Sequence, residues 1–137
     1  MNDIKKVQHY RYRTGMFGTG PEEEHWTAVR VGDTSAEGGY CVAPSPAEAL
    51  AGLGAEEPEL CALLERLGEH ACVEQYRCGV TGERHWMACY TTPGYTHWCY
   101  GDTPVEAVRK ALARDHSINP EWIARGVAVI QQQRAKS

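Results

Sequence analysis

Two stretches of the chain carry the same residues in the same order. His25-Trp26-x-Ala28 returns as His85-Trp86-x-Ala88, and Cys41, Pro46, Glu48 and Ala49 return as Cys99, Pro104, Glu106 and Ala107. The spacing from Cys through Pro to Glu-Ala is the same in both stretches, and only the link between the Trp and Cys segments differs, by two residues. Shorter matches extend outward, from Tyr10-Arg11-Tyr12 to Tyr76-Arg77-Cys78 and from Pro58-Glu59-Leu60-Cys61-Ala62 to Pro120-Glu121-Trp122-Ile123-Ala124. A repeat constrains the fold strongly, because each copy must be one supersecondary unit that buries its apolar face against its neighbour. The expectation is a single domain over 1–137 built from two pseudo-repeats, 8–70 and 72–133. Halves of roughly 65 residues bury too little surface to stand alone, so they are expected to share a core.

Local patterns give each unit the order βββαα. IKKVQHYRYR (4–13) alternates loosely and reads as a strand, and MFGTGPEEE (16–24) reads as a loop. HWTAVRV (25–31) follows with Thr27, Val29 and Val31 on one face and Trp26, Ala28 and Arg30 on the other. A turn is expected over 32–39, then a short strand. Ser45-Pro46-Ala47-Glu48 combines a cap, a Pro at the first helical position and a Glu three residues after the cap; Thr103-Pro104-Val105-Glu106 repeats the device. The first helix ends near Gly52 or Gly54, and Pro58 opens another with Leu60, Leu63, Leu64 and Leu67 at helical spacing. In the second unit Val105, Val108, Ala111 and Leu112 form an inner helix face, and Trp122, Ile123, Val127 and Ile130 are expected to anchor a last helix over 120–133. The fold class expected is α+β, an antiparallel sheet or sheets with helices packed on one face.

Charge and cysteine usage narrow the function classes. The net charge is −4, with −6 on residues 1–70 and +2 on 71–137. That balance opposes a nucleic-acid binder relying on phosphate neutralisation, and it suits a partner with basic patches. No apolar run is long enough for a membrane span. The N-terminal MNDIKKVQHYRYR has no apolar core of a secretory signal, so a cytoplasmic location is expected. Six cysteines are then expected to be free thiols, four of them (Cys41, Cys78, Cys89, Cys99) inside strand-like runs where a thiol packs as a small hydrophobe. Without Cys-x-x-Cys or His-x-x-x-His, the usual zinc spacing is missing, so no metal or cofactor is expected.

YTHWCYGDTPVEAVRKAL (95–112) resembles the C-terminal part of small phage and prophage accessory proteins of the NinX type, where an aromatic strand also leads into Gly-Asp-Thr-Pro and an amphipathic helix. The Gly-Asp-Thr-x-x-Glu-Ala run is similar to the strand-to-helix turn of HicB-type antitoxins. The order helix 58–68, three strands, helix 104–115 resembles the topology of double-stranded-RNA-binding domains, but Gly-Asp-Thr-Pro-Val-Glu stands where those domains carry a Lys-rich phosphate grip. These resemblances imply a prophage-like setting and supply no active site.

No Walker loop, Rossmann glycine pattern, nucleophile elbow or HExxH occurs. His25 and His85 each precede a Trp and read as one structural position met twice. His97 and Cys99 share a strand face at i, i+2, without a third group to orient them. Glu22, Glu23 and Glu24 read as a solvated patch and a candidate binding surface. The aromatics carry more. Trp86, Ala88 and Tyr90 fall on one face of their strand, and Trp98 and Tyr100 on one face of the next. If His85, Met87, Cys89, His97 and Cys99 lie under the helices, then Trp86, Tyr90, Trp98 and Tyr100, with Trp26 in the other half, line a helix-free aromatic face. Such a face is an interface between halves or copies, a homodimer included, or a platform for bases. The function read from this is a non-enzymatic cytoplasmic binding protein, phage-derived, that occupies a host protein as a regulator or inhibitor of host defence. The alternatives are a nucleic-acid-binding module using the aromatic face and a small-molecule or nucleotide sensor.

Overall fold

A computed structural model describes residues 4–31 and 39–136. Six strands form one antiparallel sheet in the order β3-β2-β1-β4-β5-β6. They are β1 (Ile4–Arg13), β2 (Glu22–Arg30), β3 (Tyr40–Ala43), β4 (Cys72–Arg77), β5 (Arg84–Thr92) and β6 (Tyr95–Gly101). The helices are α1 (Pro46–Ala51), α2 (Pro58–Leu67), α3 (Pro104–Ala113) and α4 (Pro120–Ala135). Both halves therefore lie in one sheet, and the strand order reads the same from either edge. The seam is β1 against β4, with Val7 opposite Val73.

Positions matched in sequence take matched places in the register. Tyr10 pairs with His25, and Tyr76 with His85. Ala28 pairs with Cys41, and Ala88 with Cys99. Ser45 Oγ accepts from Glu48 N at 3.2 Å, and Thr103 Oγ1 accepts from Glu106 N at 3.1 Å. Each cap satisfies a donor the first helical turn leaves open. Glu106 also reaches back to accept from Asp102 N at 3.0 Å.

The core lies between the sheet and α1, α2 and α3. Val7, Trp26, Ala28, Val73, Ala88 and Cys99 from the strands meet Leu50, Leu60, Leu64, Val108 and Ala111 from the helices, all buried. Small residues at Ala88, Cys99 and Gly101 let α3 sit close. A Cβ on Gly101 would stand 2.6 Å from Ala107 N, against helix backbone that cannot move aside.

Two expectations are corrected, and a third falls almost wholly outside the described residues. Glu22, Glu23 and Glu24 are not loop residues: they extend β2, opposite Arg13, Tyr12 and Arg11. Opposite charges and a Tyr hydroxyl across the pair make strand more favourable than solvated loop there. The turn expected over 32–39 lies, apart from Gly39, outside the described residues. Finally, the helices are not all on one face. Arg114 ends α3 in the left-handed region, φ 53°, and the chain then runs along the free edge of β6, where His116 Nδ1 donates to Trp98 O at 3.2 Å. That passage carries α4 round the edge to the opposite face. None of its residues is buried, so Ile123, Val127 and Ile130 are not core anchors.

Candidate functional site

On the face away from α1–α3, α4 is held by a polar clasp. His85 is 5% exposed. Its Nε2 lies 3.2 Å from Glu83 Oε2, and its Nδ1 lies 3.5 Å from Asp102 Oδ1 without making a hydrogen bond. Trp122 stacks on the imidazole, ring centroids 3.6 Å apart and planes 21° apart. Its Nε1 donates to Asp102 Oδ1 at 2.9 Å. Arg125 Nε donates to Glu83 Oε1 at 2.5 Å. The hydrogen bond from Arg125 holds the Glu83 carboxyl below the usual carboxylate range. Beside the clasp is a cavity of about 240 Å³, walled by Tyr76, Tyr100, Ile118 and Ile123, with Cys78 and Glu83 at its polar side. Tyr76 and Tyr100 meet edge to face at 5.6 Å. The Cys78 thiol is lowered from its ordinary value, chiefly by a hydrogen bond to the Thr81 side chain. Glu83 occupies the Nε2 side of His85, so the imidazole acts as a spacer between two carboxylates under an indole rather than as a base aimed at Cys78.

Among the described residues, no helix lies over the matching face of the other half. Tyr10 stacks on His25 at 5.4 Å and Tyr12 meets it edge-on at 4.9 Å. Tyr10, Tyr12 and Tyr40 remain 39%, 43% and 40% exposed, with Val42 exposed beside them. Tyr12 Oη donates to Glu23 Oε2 at 3.0 Å.

The residues expected to form one aromatic face are divided between two. Trp86 pairs with Gly101, and Trp98 with Cys89. Trp86 and Tyr90 therefore share the face under α1–α3 with Ala88 and Cys99, while Trp98 and Tyr100 share the opposite face, the one α4 crosses, with Cys89 and Met87. The two-residue turn Pro93-Gly94 sets this. It pairs Thr92 with Tyr95, so an even-numbered residue always stands opposite an odd-numbered one. Gly94, at φ 85°, supplies the conformation the turn needs. Trp86 packs half-buried against the core. Tyr90 lies at the rim, its hydroxyl donating to His116 Nε2 at 2.7 Å and its ring under the Arg114 guanidinium at 5.1 Å.

Trp26 is buried beside His9, ring centroids 5.1 Å apart. Glu22 and Glu24 lie 2.5 and 3.8 Å from Arg11 Nε, on the opposite face from Glu23. Cys99 is buried and lies 3.7 Å from His116 Nδ1; burial pushes its thiol up, which opposes nucleophilic use. All six cysteines are free. Among the described residues, no group of three His, Cys, Asp or Glu side chains is placed to hold a metal ion. No helix among them is long and apolar enough to cross a membrane.

The clasp went unseen in the sequence because its parts come from three elements. The signal present was His85 with an acid two residues before it and Gly-Asp at the end of the next strand. The open Tyr10-Tyr12-His25 face was within reach, since YRY followed by a His across a hairpin is an aromatic pair by register. Fold and site together define an α+β protein in which α1–α3 cover one face of the sheet, while on the other face the second half is clasped by the terminal helix and the aromatic surface of the first half is left open among the described residues. No family model, curated protein or solved structure matches the chain.

Proposed function

We propose that this chain is a non-enzymatic binding protein that takes another protein on the open face of β1–β3. The observation that carries the reading is the contrast between the halves. In the second half the His85 position is closed by Trp122; in the first half Tyr10, Tyr12 and Tyr40 are exposed around His25, and no helix of the described residues lies above them. Tyrosines of this kind offer large contact area with a polar tip, which suits a protein interface. The acidic first half favours a partner surface bearing Lys and Arg. The matched registers support the idea that the halves are one unit used twice, with the second copy's face taken over by α4. The likeness of residues 95–112 to NinX-type proteins supports a cytoplasmic setting in which that partner is a host protein under phage control.

A nucleic-acid reading is favoured by the same stacked Tyr10–His25 pair, since sheet-borne aromatics stack bases. Charge weighs against it: Lys6 on this face stands opposite Glu74, and Arg11 points to the other face into Glu22 and Glu69. A sensor reading rests on the cavity beneath Trp122, whose walls are mostly apolar. The test is cross-linking of wild type and a Tyr10→Ala/Tyr12→Ala variant in host lysate, with and without nuclease. The protein recovered is then purified and titrated against both. The expected result is a nuclease-resistant partner whose purified form binds wild type and not the variant. Recovery of nucleic acid alone, or equal binding by the variant, overturns the proposal.

A further inference from the structure

The clasp ties α4 to the sheet without filling the space beside it. Tyr76 from β4 and Tyr100 from β6, both half-buried, give the cavity an aromatic wall. Ile118 and Ile123 wall it from the last helix and the segment before it, and they remain 44% and 56% exposed. At about 240 Å³ the cavity has more room than one of about 150 Å³ that admits benzene in a protein interior. That suits one ring with a short side chain, and is too small for a helix. Its polar side consists of acceptors. Arg125 holds Glu83 ionised. A carboxylate offers about four acceptor sites, and Arg125 Nε and His85 Nε2 face only one oxygen each. The Cys78 sulfur stands on the same side. Among the described residues, no Lys or Arg lines the cavity.

We propose that this cavity binds a small arylalkylamine, its ring between Tyr76, Tyr100 and Ile123 and its ammonium group on Glu83. Apolar walls with a few convergent polar groups are the general form of a small-molecule site. A ligand ring against two tyrosines has the edge-on and offset contacts that aromatic groups favour. The charge selects the other end: an ammonium finds acceptors, whereas an anion meets the like charge of Glu83 with no cation in the wall to offset it. A ligand so placed touches β4, β6 and α4 together, and therefore fastens the last helix to the sheet. The site lies in the second half and does not rest on protein binding at the open face of β1–β3, so either can fail without the other.

Titration of the full chain with four probes tests the proposal: 2-phenylethylamine, 2-phenylethanol, 3-phenylpropionate and butylamine. The Trp122 indole resonance and hydrogen exchange over 120–135 are the readouts. The phenylethylamine is expected to shift the resonance saturably and to slow exchange in α4. The alcohol should bind at least tenfold more weakly, and the carboxylate and the ringless amine should give no saturable shift. Ile123→Trp, at an exposed position, should narrow the cavity and abolish binding with unchanged helicity. Glu83→Gln should bring the amine down to the level of the alcohol; should that variant free α4, the four probes on wild type decide the role of charge. No saturable shift with the phenylethylamine overturns the proposal. Equal binding of the amine and the alcohol, or undiminished binding by a folded Ile123→Trp, overturns it as well.

Discussion

The Trp122 indole lies nearly parallel to the His85 imidazole, 3.6 Å between ring centroids, while its Nε1 reaches Asp102. One side chain thus ties the last helix to β5 through its ring and to the end of β6 through its donor. Trp122→Ala is expected to release α4 while leaving the sheet folded. Hydrogen exchange should show lost protection confined to 120–135; lost protection across β1–β4 as well would mean that the clasp supports the whole domain.

The clasp should also respond to acid. Arg125 holds the Glu83 carboxyl below its ordinary range, so the folded value is lower than the unfolded one. A depressed carboxylate contributes stability that is present above its unfolded pKa and is lost as pH falls through its folded pKa. The attachment of α4 is therefore expected to hold at neutral pH and loosen below the usual carboxylate range, near pH 4. The Trp122 indole resonance, followed by NMR down the acid limb, measures this. In Glu83→Gln the transition should be absent.

Trp86 packs against the core on the helix-covered face, so Trp86→Ala should cost about 3 kcal/mol, toward the lower end for large aromatics because the ring is only half-buried. Tyr10→Ala, on the open face, should cost far less. Denaturant midpoints of the two variants give the comparison directly. A Tyr10→Ala protein as unstable as Trp86→Ala would mean that the open face is covered in solution.

The two helix caps make equal geometric contributions, and Ser45→Ala and Thr103→Ala should each cost about 0.5–2 kcal/mol. Gly101→Ala should cost more than either, because the added carbon meets α3 backbone at 2.6 Å. Thermal unfolding of the three variants ranks them.

Thiol chemistry should distinguish the cysteines in order. Cys78 is half-exposed and lowered by Thr81, so it should alkylate first. Burial pushes Cys61 up to about 11, and burial likewise raises Cys99. Cys72 is raised by its hydrogen bond to Cys89 as well as by burial. These three should react only on unfolding. Mass spectrometry of timed iodoacetamide labelling reads the order.

The α+β class and the caps at Ser45 and Thr103 were legible because each depends on residues close in sequence or on a spacing met twice. The face of Trp98 was not. Alternation tells which residues of one strand share a face, but relating two strands needs the register, and Pro93-Gly94 shifts it by the one residue that reverses every side chain. The place of α4 was illegible for a different reason. Its apolar spacing resembles that of a core helix, and only the left-handed turn at Arg114 and the path past β6 take it to the other face. The expected aromatic platform thus dissolved, and the open one was found on Tyr10, Tyr12 and His25.

The seam between β1 and β4 joins three residue pairs, Lys6–Glu74, Val7–Val73 and Gln8–Cys72, that lie far apart along the chain. Hairpins β1–β2 and β5–β6 close over short loops, whereas the seam must wait for both halves. During synthesis the first half is complete while the inner edge of β1 still has no neighbour, and an unpaired edge is a template for any strand nearby. The chain's most hazardous moment therefore comes midway through its own translation, when β4 has yet to emerge and seal the sheet.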